Sequence, residues 1–385
     1  MSEVVEHLLF RELPLEATHR RLGANMSRHD EWVLPASYGE TGAEYAVVRE
    51  GGAGLIDLST RGRINVSGSE AVQFLNGLIT NDMKTLAPGR WMRAAFPNAQ
   101  GRLLGTVRVI NRDNSFLIDT EYATHAQVQK LLERFTLAGD FHVADLSSET
   151  LMLTVQGARA FEIVGALLGQ DNVRLEQDGV AVLKWREGDV TVIRATHTGE
   201  DGFDIFVSAR DAAELWDALV AAGARPVGHD AFEILRIEAG QPRYLVDMNE
   251  TNVVLESCLD DAVSFTKGCY IGQEIIARIH WRGHVAKRLA GLSLDDESEA
   301  IAHDLREAQV KTVDGKEIGR VTSAIRSPRL KRTIALGYLK YDYLAHGTPV
   351  RVLIGDEERA AQVVELPFVR GSWEQQISSP SEAKE

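Results

Sequence analysis

Hydrophobic positions along this 385-residue chain fall into three regimes. Between about residues 63 and 145, short strand-like runs alternate with helical spacing. Ile64 and Val66 mark a strand, Val72, Leu75, Leu78 and Ile79 recur at helical intervals, and a helix over about 122–135 carries Val128, Leu131, Leu132 and Phe135. Ser69 is placed to cap the first of these helices. From 151 onward the pattern predicts a strand at 151–155, a helix through Phe161 to Leu168, strands at 180–185, 190–195 and 203–208, and a helix at 212–222. That order is a ferredoxin-like split β-α-β unit with one extra hairpin strand. Another helix, over about 230–239, ends at Gly240 and Pro242. After Val285 the helical period stops. Runs at 289–293, 317–322, 334–339, 349–354 and 360–365 predict short strands of a small antiparallel barrel or sandwich. The polar stretch 374–385 has nothing to pack and is expected to be a disordered tail.

Length adds that two or three domains are needed, with three as the starting expectation. Hydrophobic residues at 44% and charged residues at 25% are the balance of a soluble globular protein. Forty-two basic against 56 acidic residues give a formal charge of −14, which opposes direct binding of bulk nucleic acid. With only Cys258 and Cys269, neither a disulfide framework nor a multi-cysteine zinc module can be built, and no metal site is expected. Glu6, His7 and Arg11 break the apolar pieces near the start before a secretory segment forms. No run approaches the roughly 18 apolar residues of a membrane span, so a cytoplasmic protein is expected.

Three segments hold candidate chemistry. In Lys267-Gly268-Cys269-Tyr270-Ile271-Gly272-Gln273-Glu274, two glycines frame a cysteine, and Lys267 brings a cation that favours the Cys269 thiolate. The same spacing suits a small buried cysteine in a turn. The segment Thr196 to Asp204 joins two predicted strands and presents Glu200, Asp201 and Asp204. A carboxylate there can accept paired hydrogen bonds from a ring edge, and an acidic hairpin loop has the same composition. Arg236 sits near the end of a predicted helix, where terminal carbonyls also attract it.

Together these segments, with Gly54–Ser59, Phe74–Asp82 and Leu235–Gly240, resemble the glycine-cleavage T-protein superfamily from about Leu15 to Phe368. The Lys267 to Glu274 octapeptide is similar to the signature of its YgfZ-type subgroup, and Gly319–Ser323 followed by Ser327-Pro328 is similar to its terminal barrel. The resemblance implies an α+β, three-domain cloverleaf with ferredoxin-like parts and a C-terminal antiparallel β-barrel. It divides the chain into 1–55 with 146–240, 56–145 with 241–284, and 285–373. It also implies a central channel for tetrahydrofolate or a related reduced folate. Glu200 would then accept from the pterin edge, Arg236 would organise the pocket, and Trp281 would stack on a ligand ring or anchor the domain junction. Arg278, Arg282, Lys287 and Arg288 would meet the folate carboxylates. Cys269 and Lys267 would carry the reactivity.

In the enzyme of this superfamily, the run corresponding to Asn98–Thr106 carries a catalytic aspartate. Counting from Asn98 and Gly101 puts Gly105 at that position and Thr106 at a second acid, while Arg93-Ala94 and His197 replace tyrosine-containing sequence. Neither Gly105 nor Thr106 can act as a carboxylate. The expectation from sequence is therefore a folate-binding accessory factor for assembly or repair of iron-sulfur proteins, including tRNA-modifying enzymes, rather than an active aminomethyltransferase. The alternative is a tetrahydrofolate-dependent aminomethyltransferase or related one-carbon transferase.

Overall fold

The computed structural model of the chain describes residues 10–137, 139–295 and 305–375, and the expected mixture of α+β parts with a terminal barrel is what it contains. The expected tail lies outside these residues, apart from Glu374 and Gln375, which end the short helix Ser372–Gln375.

A six-stranded sheet runs in the order Val180–Trp185, Gly188–Arg194, Gly202–Ser208, Thr150–Gln156, Gly54–Asp57, Arg225–Pro226. Helices Ala160–Leu168 and Ala212–Ala221 cover one face, where Leu153, Val155, Ile163, Phe203, Ile205 and Trp216 form a closed core. The alternation of the strands gives this sheet a second apolar face. Met152, Ile193 and Phe206 on that face meet Ile110 and Leu117 of the next sheet.

That next sheet has five strands, in the order Trp91–Pro97, Leu103–Asn111, Phe116–Thr120, Gly62–Ser67, His142–Asp145. Helices Ala71–Leu78 and Tyr122–Glu133 pack on its outer face through Leu75, Leu78, Val128 and Leu132. Ser69 does not cap the first of these. The helix starts at Ala71, and the Ser69 hydroxyl donates instead to Asp140 at 2.7 Å. All five strands lie between Asp57 and Thr150, so the five-stranded unit is an insertion within the six-stranded one. Arg63, fully buried, clamps the two crossings: its guanidinium donates to the carbonyls of Ser59, Arg61 and Ser147 and to the Thr150 hydroxyl.

Six antiparallel strands between Lys287 and Val364 close the barrel. Gln309–Thr312 is the strand that hydrophobic patterning missed, because its buried positions are only Val310 and Thr312. A bulge between Val321 and Ser323 presents the consecutive hydroxyls of Thr322 and Ser323 to one carboxylate, Asp247, at 2.6 Å each. Helix Gln273–Arg282 was also not predicted. It begins on Gly272 at φ 80°, where an added β-carbon would lie 2.3 Å from the Asn98 carbonyl oxygen. Among the described residues no helix is long and apolar enough to cross a membrane.

Candidate functional site

Where the two sheets face each other the chain encloses a cavity of about 1020 Å³. Its position follows from strand alternation in Leu103–Asn111. Val107 and Val109 point into the helix-covered core, while Thr106 and Arg108 belong to the opposite face. Gly105 shares the core-facing side: a β-carbon there would meet Val128 at 3.0 Å and Thr124 at 3.3 Å. Of the two positions that sequence counting marked for acids, Thr106 lines the cavity and Gly105 does not. Gly105→Asp should therefore bury a carboxylate between strand and helix and lower stability by about 2 to 4 kcal/mol, read by urea unfolding. A stable variant with an added ionised group in the cavity would contradict this placement.

Arg108 is the centre of a charged chain that joins the sheets. It lies opposite Asp119 in the register of Phe116–Thr120 and donates to that carboxylate at 2.7 Å and to Asp204 of the other sheet at 2.5 Å. Asp119 also takes two bonds from Arg61, both 2.8 Å, and Arg61 reaches Glu121 at 3.1 Å. At the other end Asp204 meets His197 Nε2 at 3.0 Å. Asp119 and Asp204 are fully buried. Burial alone would raise both, but for Asp204 the charges of His197 and Arg108, and for Asp119 those of Arg108 and Arg61, outweigh it and hold each carboxyl below its usual range.

The remaining wall is mixed. Trp91, Phe232 and Tyr244 supply ring surface, and Arg93, Arg243 and Gln241 supply polar groups. His29 and His229 stand 4.1 Å apart, and burial, with the neighbouring charge of His29, pushes His229 down to about 3.

The structure does not bring the sequence-predicted site residues together in this cavity. Arg236 borders it, but its guanidinium is tied to Asp247 at 2.7 Å, to Glu233, and to the Ser323 hydroxyl at 2.8 Å, so it fastens the barrel. Glu200 is buried off the lining. One oxygen takes Arg49 at 3.0 Å, and the other takes the Ser372 amide at 2.8 Å and hydroxyl at 2.7 Å, which leaves no paired acceptor for a pterin edge. Trp281 is 68% exposed on the outer end of its helix, with Arg282 exposed beside it. Arg278 pairs with Glu274 on the same surface, Arg288 pairs with Asp260, and Lys287 lies over the Tyr338 ring. Arg278 and Arg282 are thus solvated and Lys287 and Arg288 half-buried at the start of the barrel, and none of the four lines the cavity.

Cys269 is exposed and is not among the cavity residues. Lys267 is buried, and its ammonium donates to the carbonyls of Asn76, Ile79 and Asn81 at 2.8, 2.9 and 2.6 Å. All three of its hydrogens are thus taken by backbone, although burial pushes its pKa down to about 8 against the pull of Asp82. It closes the end of helix Ala71–Leu78, and nothing in this geometry directs its charge at Cys269. Cys258, which burial pushes up, donates to the Leu289 carbonyl.

Sequence reasoning missed Arg61, Arg108 and Asp119 and left Asp204 as one acid among three. Their signal was present: single charges inside apolar strand runs, such as Val107-Arg108-Val109-Ile110 and Phe116-Leu117-Ile118-Asp119, require buried partners.

Comparison with known proteins adds relatives that span the chain. The GCVT N-terminal domain model matches residues 15–267, and the glycine cleavage T-protein C-terminal barrel domain model matches 287–370. The chain is 32% identical to an aminomethyltransferase of Geobacillus kaustophilus over 372 residues, covering 94% of this chain and 99% of that protein. It is 33% identical to one from Symbiobacterium thermophilum over 373 residues, covering 93% and 96%. In fold it is similar to the crystal structure of glycine cleavage system aminomethyltransferase T from Bartonella henselae, with a TM-score of 0.86, 24% identity, and coverage of 94% and 98%.

Proposed function

The chain belongs to the glycine cleavage T-protein family, and from that premise we propose that it binds a reduced folate in the cavity between its two sheets and transfers a one-carbon unit to it. The cavity carries this reading. Its volume of about 1020 Å³ is at the upper end of small-molecule sites, and it combines ring surface at Trp91 and Phe232 with guanidinium groups at Arg93 and Arg243. A flat heterocycle with polar edges and an acidic tail has the matching chemistry. Gly105 faces the core, so an acid there would not reach the cavity; Thr106 does line it and brings a hydroxyl, so any acid-base group must come from elsewhere in the wall. Calorimetric titration with tetrahydrofolate should show saturable binding, and the purified protein should form methylenetetrahydrofolate when given the other glycine-cleavage components. No heat of binding at millimolar folate would remove the reading altogether.

A second reading, an accessory factor for iron-sulfur proteins including tRNA-modifying enzymes, has one observation in its favour. Cys269 is solvent-exposed on the octapeptide loop, as a thiol that reacts with another protein must be. Two cysteines are too few for the four thiolates of a typical cluster, so a partner would have to complete any ligand set. In cells lacking the endogenous protein, Cys269→Ser should fail to restore iron-sulfur enzyme activity while Cys258→Ser restores it. Full rescue by a stable Cys269→Ser protein would leave only the transferase reading.

A further inference from the structure

We propose that His197, held by Asp204, is the group that takes the proton released when the folate amine accepts the one-carbon unit. The inference rests on the folate-dependent transfer proposed above and assigns its proton chemistry to a residue of this chain.

Geometry fixes the histidine. His197 borders the cavity with its side chain 18% exposed, whereas its partner Asp204 has a fully buried side chain. Asp204 already accepts from the Arg108 guanidinium, so towards His197 it is an acceptor and not a donor. In the tautomer that this contact selects, Nε2 carries the proton that Asp204 accepts and Nδ1 carries the lone pair. Among the described residues Nδ1 has no hydrogen-bond partner. Two neighbours hold the ring, the carboxylate at 3.0 Å and the Phe232 ring in a T-shaped contact with centroids 6.2 Å apart, and the backbone beneath it is pinned by its amide donating to Gln156 at 2.9 Å. A base in a fixed tautomer, oriented by a buried carboxylate and open to a cavity, is the arrangement that general base chemistry needs.

The step balances as follows. The lone pair of the folate N–H nitrogen forms the new bond to carbon. The bond from that carbon to its carrier breaks, and the carrier atom leaves with the electron pair. Nδ1 takes the proton from the folate nitrogen and returns it to the departing carrier atom; attack of the second folate N–H nitrogen on the same carbon then expels the amino group, which leaves as ammonia with that nitrogen's proton, so no oxidant or reductant is needed. Arg108 acts only through Asp204, as a positioning residue.

The test compares wild-type protein with His197→Ala and His197→Gln in the transfer assay and in calorimetric titration with tetrahydrofolate. His197→Ala should lower kcat by roughly 10²- to 10⁴-fold while changing folate affinity by less than about 3-fold, and added imidazole should restore a measurable part of the lost rate in the Ala variant only. Turnover of His197→Ala within about 3-fold of wild type overturns the inference and leaves the transferase reading standing. Parallel loss of folate binding and turnover, without imidazole rescue, makes His197 a structural residue and also overturns it. Wild-type protein that binds tetrahydrofolate but transfers nothing overturns the transferase reading and this inference together.

Discussion

Arg108→Ala should lower the free energy of unfolding at pH 7 by about 3 to 5 kcal/mol, the range seen when one partner of a buried ion pair is removed. Among the described residues the guanidinium is the only group that bonds both Asp119 and Asp204, and each of those carboxylates is fully buried. After its removal Asp119 keeps Arg61 and Asp204 keeps His197, but two negative charges then lie across the sheet interface without the cation between them. The dependence on pH separates this from a simple packing loss. In the wild type both carboxyls have folded pKa values below the unfolded one. Between those values the unfolded state binds more protons, so their contribution is present above about pH 4 and is lost as pH falls through the folded pKa values. The deficit of Arg108→Ala should therefore shrink when unfolding is measured near pH 3. A loss under 1 kcal/mol at pH 7, or one that is the same at both pH values, would mean that the charged chain does not couple the sheets.

Lys267→Ala is expected to cost about 2 to 4 kcal/mol, because three backbone carbonyls lose a charged donor and two of those bonds are fully buried. Lys267→Arg should recover little of this, since a planar fork cannot place hydrogens on three carbonyls that converge on one point. Removing the ammonium should leave the reaction of Cys269 with a thiol reagent within about 2-fold of wild type. If labelling slows by tenfold while stability is unchanged, Lys267 acts on the thiol and not on the chain.

Helical and barrel segments were legible in the sequence because each carries its own period: Tyr122–Glu133, Ala160–Leu168, Ala212–Ala221 and His229–Glu238 begin and end within about two residues of where spacing put them. The site was less legible for a physical reason. Glu200 was placed at the pterin edge by the family resemblance, and only the approach of Arg49, 151 residues earlier, and of Ser372, 172 residues later, shows that its oxygens are taken. Lys267 misled in the same way: sequence distance puts it beside Cys269, but the carbonyls that hold it lie between 186 and 191 residues away. Arg108 and Asp204, 96 residues apart, are joined only once two separately built sheets pack face to face. Local pattern carries no information about which charges will meet at such a distance.

The insertion closed by Arg63 has a consequence for how the chain is made. Strand Gly54–Asp57 emerges from the ribosome early, but its sheet neighbours are Thr150–Gln156 and Arg225–Pro226, so it must wait for both. The five-stranded unit needs nothing beyond Asp145 to complete its own ladder. At about 5 to 20 residues per second it is whole several seconds before Pro226 is added. Until Asp204 and Phe206 are added, Arg108 has Asp119 but not Asp204, and the apolar face that will meet Phe206 is incompletely covered. The nascent chain therefore presents one finished sheet with an incompletely covered side, and translation speed between residues 145 and 206 sets how long it stays open to other chains.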